Sequence, residues 1–91
     1  MTSVHPEKTK NLIKNTFPNM KVEIQPNLNI FPYDGPTIIY YRINCFYTNQ
    51  RECIELKDFL LKMKLITEDN NMFSPLKFAI TNNILELEGY Y

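Results

Sequence analysis

Ninety-one residues, 44% of them hydrophobic and 13% aromatic, suffice for one packed core and exclude both a second domain and a disordered chain. Ten basic side chains balance ten acidic ones, with about +2 on residues 1–30 and about −1 on each later third, so no basic field exists to gather phosphate backbones. No apolar run approaches a membrane span, and no hydrophobic leader follows Met1, so an intracellular protein, cytoplasmic or nuclear, is expected.

His5-Pro6-Glu7 opens a helix. Proline at the first helical position forfeits no hydrogen bond, and Glu7 meets the positive end of the dipole. Leu12, Ile13 and Phe17 continue at helical spacing and Pro18 ends the run, giving a first helix over 6–16. From Met20 to Ile30 apolar and polar residues alternate, which marks a strand with one buried face. Pro26 falls in the buried phase without an N–H, so a bulge or an edge position is expected. Residues 31–36 are rich in turn formers and read as a hairpin loop.

Thr37–Tyr47 is the strongest strand segment. Ile39, Tyr41, Ile43, Cys45 and Tyr47 share one face; Ile38, Tyr40, Arg42, Asn44 and Phe46 share the other. Large side chains on both faces predict a central position. Asn49 to Glu52 has the form of a capping box, and a second helix follows to about Ile66. Thr67–Asn71 is a polar loop, Leu76–Thr81 a short strand, Asn82-Asn83 a tight turn, and Ile84–Tyr91 a last strand. The order α-β-β-α-β-β predicts an α+β, two-layer sandwich. Its four-stranded sheet is mostly antiparallel with both helices on one face, in the outline of a permuted ferredoxin-like layout.

The inventory for chemistry is thin. His5 is the only histidine and suits a helix cap better than a general base. Cys45 and Cys53 lack further ligands for zinc and are expected as reduced thiols, Cys53 facing the core. Glu86 and Glu88 share one strand face, an arrangement that can share a proton, but no third ligand stands near. Gly35 and Gly89 cannot build a phosphate-cradling loop. No catalytic residue, cofactor, metal or small-molecule substrate is expected, and no membrane contact.

Two surfaces are more apolar than an isolated monomer requires. On the second helix, Cys53, Leu56, Phe59, Leu60, Met63 and Ile66 form a broad arc suited to the sheet. Ile54, Leu61 and Leu65 form a second stripe, for packing against Leu12 or Ile13 of the first helix or against a partner. On the open side of the sheet, Ile38, Tyr40 and Phe46 lie together with Arg42, rimmed by Lys21, Glu23, Gln25, Glu86 and Glu88. An apolar centre with a polar rim suits a protein contact, and quite naturally a homodimer. The expected function is a non-catalytic protein-interaction module, a regulator or complex subunit. It would self-associate or dock on a larger protein through the sheet face, an edge strand or the second helix. The alternative is a nucleic-acid-binding domain that stacks bases on Tyr40 and Phe46 beside Arg42.

Overall fold

The computed structural model describes residues 5–30 and 38–90, ordered α1 (Pro6–Thr16), β1 (Lys21–Ile30), β2 (Ile38–Phe46), α2 (Gln50–Lys62), β3 (Lys77–Ile80) and β4 (Ile84–Tyr90). The expected hairpin loop over 31–36 lies outside the described residues, as does the side chain of Ile38.

Helix α1 has the predicted bounds. The His5 side chain accepts the Glu7 N–H at 3.3 Å, the capping role expected of it. At the other end Lys14 Nζ donates to the carbonyls of Pro18 at 3.2 Å and Met20 at 2.7 Å, tying the helix to the chain that enters β1. Helix α2 starts at the predicted cap, where Asn49 Oδ1 accepts the Glu52 N–H at 2.9 Å. Glu52 reaches back to the Thr48 N–H at 2.9 Å, one residue before the donor that a capping box uses.

Helix α2 stops four residues short of the predicted end, at Lys62. Lys64 adopts φ 59°, and the N–H groups of Lys64 and Leu65 return to the carbonyls of Leu61 and Leu60, each at 3.0 Å. This is a Schellman closure with lysine where glycine is usual. Lysine meets a steric cost in this left-handed conformation, so Lys64→Gly is expected to raise stability by about 0.5–1 kcal/mol, read from the urea midpoint.

The sheet order is β1-β2-β4-β3, with every neighbouring pair antiparallel. Strand β2 is central, as its two large faces predicted. Strand β1 is an edge and is also bulged between Pro26 and Leu28, so Pro26 has both features offered for it. Both helices cover one face. Val22, Tyr41, Ile43, Cys45, Leu85 and Leu87 meet Ile13, Cys53, Leu56 and Leu60 in a single core. The helices touch where the Phe17 and Phe59 rings stand edge to face, 5.9 Å between centroids.

Both cysteines are free and buried, and burial pushes the Cys45 thiol up to about 12. Native protein should therefore react with a thiol reagent only as fast as it unfolds. Labelling of either cysteine at the rate seen in denaturant would contradict the buried assignment. No helix among the described residues is long and apolar enough to cross a membrane.

Candidate functional site

Cross-strand register assembles the sheet's outer face from four strands, because residues directly opposite share a side. Lys21, Phe46 and Ile84 form one row; Glu23, Asn44, Glu86 and Ala79 form the next. Gln25, Arg42, Glu88 and Lys77 form a third, and Tyr40 stands opposite Tyr90. No described helix lies over these rows. The residues placed there by alternation, Tyr40, Arg42 and Phe46 of β2 with Lys21, Glu23 and Gln25 of β1, are on that face.

Its centre differs from the expectation. Arg42 Nε lies 3.4 Å from one oxygen of Glu88 and 3.7 Å from one of Glu86, so a guanidinium flanked by two carboxylates holds the middle. Asn44 beside it is buried and, among the described residues, no donor reaches its Oδ1; Arg42 Nε has these ion pairs but no well-aligned hydrogen bond there. The centre is ionic and the aromatic groups stand at the two ends. At one end Lys21 Nζ sits 5.2 Å from the centre of the Phe46 ring, and at the other are Tyr40 and Tyr90. The reason is the pairing of β2 with β4, which sets Glu86 and Glu88 beside Arg42 and which neither strand's own alternation reveals.

Burial raises the Glu86 pKa, Glu88 raises it further, and Arg42 only partly opposes them. A carboxyl whose folded pKa is raised stabilises the fold below its unfolded pKa, and that contribution is lost as pH rises through the folded value. Wild-type protein should gain stability on acidification through the Glu86 titration. Glu86→Gln should be more stable than wild type at pH 7 and lose that advantage as pH falls. Denaturation midpoints measured against pH check both statements.

Beside Tyr40 and Tyr90 the face opens into a notch of about 110 Å³, bounded also by Met72, Pro75, Lys77 and Glu88. Small-molecule sites run to roughly 300–1,000 Å³, so this one has room for a single side chain. The neighbouring loop carries Met72 and Phe73, each 81% exposed. It is held by its own polar groups. Thr67 N–H donates to Ser74 Oγ at 3.1 Å, Asn71 N–H to Thr67 Oγ1 at 3.2 Å, and Phe73 N–H to Asn71 Oδ1 at 2.8 Å. Lys77 Nζ caps the carbonyls of Asn70 and Asn71. Sequence reasoning missed this pair; the only signal was two large apolar residues between Asn71 and Ser74, inside a stretch too polar for a strand.

The second stripe on α2 is divided. Leu61 and Leu65 are half-buried against the core, whereas Ile54 is 53% exposed. The outer face and the Met72-Phe73 loop adjoin through the notch; Ile54 is not among its lining residues. Comparison of the chain with protein-family models, curated proteins and solved structures finds no match in any of the three.

Proposed function

We propose that this domain is a small, non-catalytic protein-interaction module acting inside the cell. As a subunit or regulator it contacts a larger protein, or a second copy, through the outer face of its sheet. The observation that carries this reading is the run of Tyr40, Tyr90 and Met72, over which no described helix lies, around a notch with room for one side chain. Aromatic residues are favoured at interface cores because they bury much area with little loss of rotamer freedom. A loop already fixed by hydrogen bonds loses little further entropy on docking. The nucleic-acid alternative is weaker, because Arg42 is flanked by Glu86 and Glu88, and carboxylates repel phosphates.

Light scattering at micromolar concentration and pull-down from the native source, with wild-type and Tyr40→Glu/Phe46→Lys baits, test the reading. Mass doubling, or a protein held by wild type alone, is expected. Identical captures by both baits, or a mass shift only on adding oligonucleotide, would overturn it.

A further inference from the structure

The two edges of the sheet are finished differently. The Tyr47 N–H donates to the Asn83 carbonyl at 3.2 Å, one step beyond the Phe46–Ile84 pair, which fixes the phase of the ladder. Hydrogen-bonded and non-bonded pairs alternate in antiparallel strands. Cys45, Ile43 and Tyr41 therefore turn their N–H and C=O groups to β4, and Phe46, Asn44 and Arg42 turn theirs to β1. Their partners Lys21, Glu23 and Gln25 are thereby satisfied. Val22 and Ile24 direct both backbone groups away from the sheet.

By the same phase, set by the Thr81 N–H to Ile84 carbonyl bond, Phe78 faces outward on the β3 edge. There the Asn70 amide seals it, accepting the Phe78 N–H at 2.9 Å and donating to its carbonyl at 2.8 Å. That is one of the ways proteins blunt a sheet edge. Among the described residues nothing does the same for Val22 and Ile24.

We infer that the β1 edge at Val22–Ile24 takes an extended strand from a different protein, with a basic residue facing Glu23. The Glu23 side chain lies on the outer face, but the backbone edge that would take the strand is away from the Tyr40–Tyr90 notch, and the inference does not rest on the reading given above. Two donors and two acceptors alternating along one edge match the repeat of an extended peptide backbone. The window is short. Met20 before it already uses its N–H on Phe17 and its carbonyl on Lys14, and Pro26 after it has no N–H.

The same facts argue against a second copy. A two-fold pairing centred on Val22 needs the groups Met20 has already spent, and one centred on Ile24 sets Val22 against Pro26. A pairing centred on Glu23 uses all four free groups but opposes Glu23 to itself, and like charges directly opposite are destabilising. A lysine or arginine there has no like charge directly opposite and shares the carboxylate with Lys21, whose Nζ lies 3.2 Å from Glu23 on the same strand.

The probe is the capped peptide Thr-Val-Lys-Val-Thr, titrated to millimolar concentration and followed by amide hydrogen exchange. In the free protein, exchange at Val22 and Ile24 should be fast and at Glu23 and Gln25 slow. The peptide should slow Val22 and Ile24 by about tenfold or more. Its analogue N-methylated at both valines should not, and the analogue with glutamate for lysine should bind roughly two- to fivefold more weakly. The Tyr40→Glu variant, changed at the far end of the sheet from Glu23, should respond as wild type does, which separates this edge from the Tyr40–Tyr90 notch. Slow exchange at Val22 and Ile24 without peptide, no protection with it, or equal binding of the N-methylated form would each overturn the inference. Mass doubling that alone protects these amides would overturn the assignment to a foreign strand.

Discussion

Gly89→Ala is expected to lower the unfolding free energy by about 1–3 kcal/mol, and Gly89→Val by more. A Cβ at position 89 would lie 2.5 Å from Leu76 Cδ2, 2.8 Å from the Tyr41 hydroxyl oxygen and 3.0 Å from its Cζ. Leu76 and Tyr41 are 1% and 0% exposed, so neither has open space into which to retreat. The need for glycine is a matter of room, since Gly89 has no positive φ. Shortening the neighbour should relieve the clash: Gly89→Ala/Leu76→Val should recover part of the loss, so that the two costs do not add. Thermal or urea unfolding measures the cycle. Strictly additive costs would show that Leu76 and residue 89 do not contend for the same space.

Tyr40→Glu with Phe46→Lys should leave a folded domain and weaken its protein contact by roughly 2 kcal/mol or more, about thirtyfold. Both side chains are half-buried on the face without helices, so the expected cost to folding is no more than about 1–2 kcal/mol. Had the register slipped by one residue, Tyr41 and Tyr47 would occupy that surface. They are instead 0% and 8% exposed in the core, and the same changes at those two positions should unfold the protein. Circular dichroism and binding, measured on both pairs of variants, separate loss of fold from loss of contact.

The sequence was most legible where a pattern is local. Period-two alternation placed Tyr41, Ile43, Cys45 and Tyr47 on one face of β2 and Tyr40, Arg42 and Phe46 on the other, because side-chain direction along a strand depends on the strand alone. The caps at His5 and Asn49 were legible for the same reason. The end of α2 was not, because Lys64 fills a position that glycine normally announces. Nor was the centre of the outer face. The β2–β4 pairing joins segments some forty residues apart, and only that pairing brings two carboxylates to Arg42 and turns an expected apolar centre into an ionic one. The Met72-Phe73 loop was hidden because its order comes from side-chain bonds of Thr67, Asn70, Asn71 and Ser74, which no periodicity encodes. The stripe on α2 was legible as a pattern but not as a surface, since Leu61 and Leu65 join the core and leave Ile54 by itself.

We propose that the outer sheet face, and not helix α2, meets the partner. Site-specific photocrosslinking in the native cell tests it, with a benzophenone side chain in place of Phe46 in one variant and of Ile54 in another. A covalent protein adduct, to a second copy or a larger chain, is expected from position 46 and none from position 54. An adduct from position 54 alone, or a nucleic-acid adduct from position 46, would contradict it.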